Sequence, residues 1–218
     1  TGGGLTMEGW IKVSSVAGLH PIAEWHGDTR EKTGVQFWLN SNPYQSGALL
    51  FALPDTNSNQ QNLVTPSDIL LPNVWQHVAA TYDRSSGVAT IYVNGAVVAQ
   101  STMSSFVPQT SYDLWFSHRP LDVPGDWTYG ATLGGSLDEF SLYNRALSSN
   151  EIAAIYNAGT SGKCPPVGGN APVITQQPTN RTASVGGTAT FSVTATGSPT
   201  LHYQWSGPLG SILGATNS

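Results

Sequence analysis

The sequence has little charge and almost no cysteine. Of its 218 residues only 10% are Asp, Glu, Lys or Arg, with a formal net charge of −5. The eight Lys and Arg are scattered, so no cationic stripe exists to neutralise phosphates, which argues against nucleic-acid binding. No apolar run approaches the roughly 18 residues of a membrane-spanning helix, which argues against membrane insertion. The single Cys164, in "SGKCPPVGG", cannot form an internal disulfide, and no His lies near it in sequence to make it a nucleophile. It either pairs with another chain or is a bystander. No Walker loop, zinc-type cysteine spacing or Ser-His-Asp signature is present. There is no initiator Met and no signal peptide, so the chain reads as a processed or excised piece.

What is plentiful is Gly (24), Pro (14), Trp (7) and Tyr (8). Low charge with many turn formers and aromatics fits an all-β protein. In "LTMEGWIKV" (5–13), Leu5, Met7, Ile11 and Val13 share one parity, and Thr6, Glu8, Trp10 and Lys12 the other. "VQFWLN" (35–40) repeats this, with Val35, Phe37 and Leu39 against Gln36, Trp38 and Asn40. Strands of this pattern lay one face on a core. "ALLFAL" (48–53), "HVAATYD" (77–83), "VATIYVNGAVVAQ" (88–100), "SYDLWFS" (111–117) and "GSLDEFSLYN" (135–144) add further strands. Asn94-Gly95 reads as a two-residue type I′ turn. "LSSNEIAAIYNAG" is the one convincing helix. Ser148 and Glu151 form a capping box, Ile152, Ile155 and Tyr156 share a face, and Gly159 is placed to end the helix in the left-handed conformation. A Gly/Pro-rich linker (161–172) then separates residues 1–160 from a β-like tail, 173–218.

The block "WQHVAATYDRSSGVATIYVNGAVVA" (75–99), joined to "GGSLDEFSLYNRALSSNEIAAIYNAG" (134–159) and preceded by "LTMEGWIKV", resembles the laminin-G-like domains of bacterial secreted proteins. These belong to the concanavalin A-like superfamily, and the resemblance spans about residues 1–160. A strand and an acidic loop usual at the start of such domains are missing. The tail, with Phe191 and with Trp205 in "YQWSG", resembles the start of a bacterial immunoglobulin-like domain. Less than half of the roughly 100 residues such a domain needs is present. The resemblance implies a jelly-roll sandwich of two antiparallel sheets, a secreted or surface location, and relatives that include both sugar binders and hydrolases. Fold alone does not choose between them.

Several residues are candidates for a site. "AEWHGD" (23–28) places Glu24, His26 and Asp28 at alternate positions. On one strand face they read as a hydrolase pair, as ligands for a divalent cation, or as an ordinary solvated strand end running into the charged "DTREK". Trp10 and Trp38 share parity with polar residues and read as sugar platforms or as residues covered by a neighbouring element. Trp25, Trp75 and Trp115 read as core. The long segment 118–132 carries His118, Arg119, Asp122, Asp126, Trp127 and Tyr129, which combine stacking and directed hydrogen bonds in the manner of glycan recognition. Asp138 shares parity with Phe140 and Leu142. Read as pointing inward, it calls for a cation or hydrogen bonds, and Asp residues in the last strand of related jelly rolls suggest Ca²⁺. His77 reads as structural.

The reading is therefore a non-catalytic glycan-binding or adhesion module of a larger protein. The alternatives are a hydrolase, metal-dependent or not, built on Glu24, His26 and Asp28, and a purely structural spacer. The apolar face with Phe191, Val193 and Trp205 must be covered, either by folding back on the jelly roll or by a second copy in a homodimer.

Overall fold

In the computed structural model, the described residues are 3–29, 31–40, 46–119, 131–159, 162–163, 173–196, 201, 203–207 and 210–212. The chain divides into two compact units, Thr1–Thr160 and Ser161–Ser218.

The first unit is a two-sheet antiparallel sandwich. In chain order its strands are β1 (Gly4–Val13), β2 (His20–His26), β3 (Thr33–Leu39), β4 (Leu49–Pro54), β5 (Gln60–Val64), β6 (Gln76–Asp83), β7 (Val88–Val93), β8 (Ala96–Thr102), β9 (Asp113–Phe116) and β10 (Gly135–Tyr143). One sheet runs β10-β1-β6-β7-β8, the other β5-β4-β3-β2-β9. The core between them follows the period-2 pattern. Leu5, Met7, Ile11 and Val13 of β1 meet Val35, Phe37 and Leu39 of β3 and Leu49, Phe51 and Leu53 of β4. The β7–β8 turn has Asn94 at φ 50° and Gly95 at φ 77°, as a type I′ turn requires.

The first sheet is also covered on its outer side. Helix α1 (Ser149–Ala158) buries Ile152 against Ala79, Tyr92 and Leu147, with Ile155 and Tyr143 alongside. The Ser148–Glu151 capping box forms on both sides. Gly159 closes the helix at φ 50°, but its ψ of −129° departs from the left-handed helical pair expected of it. This outer layer explains why Thr6 and Glu8, on the polar parity of β1, are nonetheless buried: Thr6 bonds the backbone of Arg145 and Leu147, and Glu8 accepts from Tyr143.

β10 contains a bulge. Glu8 pairs with Ser141 and Trp10 with Asp138, so two residues, 139 and 140, lie opposite Gly9, and Glu139 takes φ 50°. Parity changes there. Leu137 and Phe140 pack on the core, while Asp138 turns outward and is exposed. Counting inward from Phe140 by steps of two therefore placed Asp138 on the wrong face.

In the second unit the described residues form two short ladders. One joins β11 (Val173–Gln176) and β12 (Thr194–Thr196), the other β13 (Ser206–Gly207) and β14 (Gly210–Ser211). Within "TATFSVTAT" (188–196) only Thr194–Thr196 is strand. Among the residues described there, Val173, Ile174, Val185 and Phe191 are exposed, while Val193 and Trp205 are half-buried.

Candidate functional site

The outer face of the second sheet carries one row of residues across all five strands: Asn62, Ala52, Gln36, Glu24 and Trp115. The row exists because each lies on the parity opposite to a core residue of its own strand. Glu24 alternates with Ala23 and Trp25, Gln36 with Val35 and Phe37, and Ala52 with Phe51 and Leu53, all core.

Glu24 is fully buried, and its charge is answered at close range. Arg119 donates Nε to both carboxylate oxygens at 3.0 and 3.2 Å and Nη2 to Oε2 at 2.5 Å. Trp38 Nε1 adds a hydrogen bond at 3.1 Å, and the Arg119 guanidinium lies 4.3 Å from the Trp38 ring centre. The planar guanidinium thus meets a carboxylate with its edge and an indole with its face, the use for which Arg is suited and Lys is not.

Arg119 arrives from the segment that follows β9. That segment leaves and returns as a paired stem. Leu133 N–H donates to Ser117 O, and Arg119 N–H donates to Ala131 O, both at 2.9 Å. His20 Nδ1 donates to Thr132 O at 2.7 Å and ties the stem to β2. His118 stands edge-on to Trp115 at 5.9 Å, and both are half-buried. Trp115 Nε1 donates to His26 O at 3.3 Å.

The sequence candidates separate accordingly. Trp38, His118 and Arg119 come together with Glu24 and His26 on this face. Trp38 is only 4% exposed, with its ring taken by Arg119, so it supports the site without being an open platform. Trp10 lies on the other sheet, tilted against Tyr156 at 5.7 Å and edge-on to His77 at 5.5 Å, so Trp10 and Trp38 do not form one surface. Trp127, Tyr129, Asp122 and Asp126 lie outside the described residues. Trp25 is core as expected, but Trp75 is 42% exposed and Trp115 faces outward. The signal for Trp115 was its parity with Asp113, opposite to Leu114.

Glu24, His26 and Asp28 do not share one strand. β2 ends at His26, and Gly27 N–H turns to donate to Lys32 O at 2.8 Å. Asp28 is exposed in the resulting turn and pairs with Lys32 at 2.5 Å, whose hydrogen bond holds the Asp28 carboxyl below its ordinary range. His26 is buried and donates Nδ1–H to Gly27 O at 2.7 Å. Both carboxylate oxygens of Glu24 are already engaged, by Arg119 and by Trp38.

Among the described residues no group of three His, Cys, Asp or Glu side chains is placed to hold an ion. Asp138, the residue expected to hold Ca²⁺ because it pointed inward, is exposed and accepts from Glu139 N–H at 2.8 Å. His77 is structural in the expected sense. It is buried, with Nε2 donating to Glu8 Oε2 at 3.0 Å, and Tyr143 Oη donates to Glu8 Oε1 at 3.2 Å.

Two antiparallel sheets packed face to face define an all-β jelly-roll sandwich. Residues 1–153 match the Laminin_G_3 family, described as the concanavalin A-like lectin/glucanases superfamily, and the chain belongs to that family. Botulinum neurotoxin type X of Clostridium botulinum is 35% identical over 132 residues, which is 57% of this chain but only 9% of the toxin. The carbohydrate-binding module CBM40 of the Ruminococcus gnavus IT-sialidase, solved with α2,3-sialyllactose, superposes with a TM-score of 0.57 at 15% identity, over 72% of this chain and 84% of the module. A putative carbohydrate-binding protein of Bacteroides ovatus gives 0.51 at 22% identity, over 69% of this chain and 40% of that one. At these identities the structural likenesses establish the fold.

Proposed function

We propose that residues 1–160 are a non-catalytic glycan-binding module, and that sugars are met on the outer face of the second sheet, beside the stem formed by Ser117–Arg119 and Ala131–Leu133. The observation that carries this is the half-exposed Trp115–His118 pair beside an arginine already fixed in place. An indole offers an apolar ring for a pyranose face, and the neighbouring imidazole and guanidinium offer directed donors. Because Glu24 and Trp38 hold Arg119 before any ligand arrives, little side-chain entropy remains to be lost there on binding. Trp127 and Tyr129, from the same segment, are assigned to recognition on their residue types. Sialyllactose on the CBM40 relative supports an acidic sugar as the first ligand to try.

The module is read as part of a larger secreted or surface protein with an adhesive role, followed by the opening residues of an immunoglobulin-like domain. Among the described residues no helix is long and apolar enough to cross a membrane. The homodimer expected from the tail draws no support from the relatives and is not carried forward.

A glycan array with sialylated and neutral oligosaccharides tests the reading. Binding is expected, and Trp115→Ala should weaken it by about 1–3 kcal/mol with an unchanged circular dichroism spectrum. No binding on the array, or undiminished binding by the folded variant, would overturn the site.

A further inference from the structure

On the opposite side of the sandwich a cavity of about 410 Å³ is lined by Trp10, Trp75, Asp138, Glu139 and Gly159. Its size falls in the usual range of small-molecule sites, roughly 300–1,000 Å³. The face and the sheet differ from those of the Glu24–Arg119 pair.

The chemistry of the lining is unusual in two ways. First, consecutive residues of a regular strand point to opposite faces, yet Asp138 and Glu139 both line this cavity. The β10 bulge achieves this by holding Glu139 at φ 50°. Second, among the described residues no Lys or Arg lines the cavity and neither carboxylate has a cationic partner. Lys12, the next outward residue of β1, is exposed and not part of the lining. Among the described residues, two carboxylates therefore stand beside two indoles without a counter-charge.

The indoles are held in place. Trp10 is tilted against Tyr156 of α1 and edge-on to His77. The segment that carries Trp75 is pinned on both sides. Asn73 N–H donates to Val13 O at 2.6 Å, and Leu71 N–H donates to Gln76 Oε1 at 2.7 Å. Gly159 adds no bulk, and a Cβ built there would meet nothing within 4 Å.

We infer that this cavity is a second subsite, selective for an amino sugar whose nitrogen is a free ammonium. The pyranose face lies on an indole. The ammonium is drawn by the indole π-faces and by the Asp138 and Glu139 carboxylates. An N-acetylated sugar keeps the ring but loses the charge, so the pair of carboxylates is what makes the subsite discriminate. The sugar component rests on the glycan reading above; the preference for positive charge rests on this lining alone.

The test is titration at pH 6, followed by calorimetry, with chitosan tetramer and with its fully N-acetylated counterpart. The proteins are the whole chain, Trp75→Ala, an Asp138→Asn/Glu139→Gln double variant and Trp115→Ala, each checked for folding by circular dichroism. The expected result is at least about ten-fold tighter binding of the free-amine tetramer. That preference should vanish in the double variant, fall in Trp75→Ala and persist in Trp115→Ala. Equal affinity for the two tetramers, an undiminished preference in the folded double variant, or no binding of the free-amine tetramer would overturn the subsite. If sialylated glycans still bind on the array in that event, the site on the other face stands by itself. If the array is blank while the free-amine tetramer binds through Trp75, the first site fails and this one holds.

Discussion

Glu8 and Glu24 are the same residue type, on adjacent strands in sequence, and both are completely buried. Each lies on the side of its strand that faces away from the common core. Glu8 is held by an imidazole and a phenol, His77 and Tyr143, in the layer between the first sheet and α1. Glu24 is held by a guanidinium and an indole, Arg119 and Trp38. The partner groups reflect what the two places do. An imidazole can donate a hydrogen bond whether or not it is charged, so it suits an interior that only has to be sealed. A guanidinium is always charged and donates in a fixed plane, so it can anchor a loop to a sheet and still orient that loop.

The sharpest way to break this comparison is to remove the permanent charge. Arg119→Ala should leave Glu24 buried and uncompensated, at a cost of about 3–5 kcal/mol, seen as a lower urea midpoint. Adding Glu24→Gln to it should recover part of the loss. If Arg119→Ala is as stable as wild type, the pair is ornamental. His77→Leu should cost less, about 1.5–3 kcal/mol, because Tyr143 still donates to Glu8; a loss equal to that of Arg119→Ala would erase the distinction between the two glutamates.

A third carboxylate sharpens the contrast from the surface. Glu151 is drawn down to about 2 from 4.5 by the Arg145 hydrogen bond and by the Ser148 backbone and hydroxyl. Because the folded value is the lower one, the cap contributes stability above about pH 4.5, and that contribution fades as pH falls toward 2. Solvent screening keeps it to at most about 1 kcal/mol. The stability gap between wild type and Glu151→Gln should therefore close on acidification; a gap constant from pH 7 to pH 2 would contradict the ion pair. The smallest effect is expected at Asp138. Since it is exposed, Asp138→Ala should change stability by less than about 0.5 kcal/mol, with chelator or with added Ca²⁺. A large chelator-dependent fall in the wild type alone would restore it as a metal ligand.

Alternation was enough to read most strands and the core faces of β1 and β3, and the helical period with its capping box gave the helix, because each depends on neighbours two to four residues away. The two-sheet arrangement came from the family resemblance. Alternation failed at Asp138 because a bulge adds one residue and reverses every parity count across it. The sequence gives little warning of that, since "LDEF" has no glycine to mark the extra residue. It missed the burial of Glu8 because the covering helix lies about 140 residues further along the chain. Glu24 and Arg119 were both singled out, but separately. Their meeting spans 95 positions, and nothing local records it. Trp75 was assigned to core on size alone, and Trp115 on size against a parity that pointed the other way.

The paired stem under residues 118–132 has a bearing on how such a domain diversifies. Its two ends are fastened by Ser117–Leu133 and Arg119–Ala131, and the sheet beneath is closed by Arg119 on Glu24. A segment entered and left through adjacent backbone pairs has its ends already brought together, so each doubling of its length costs only about 0.6 kcal/mol of closure entropy. A lineage could acquire a new ligand by swapping that one stretch, and a laboratory could do the same by grafting into it while leaving both fastenings untouched.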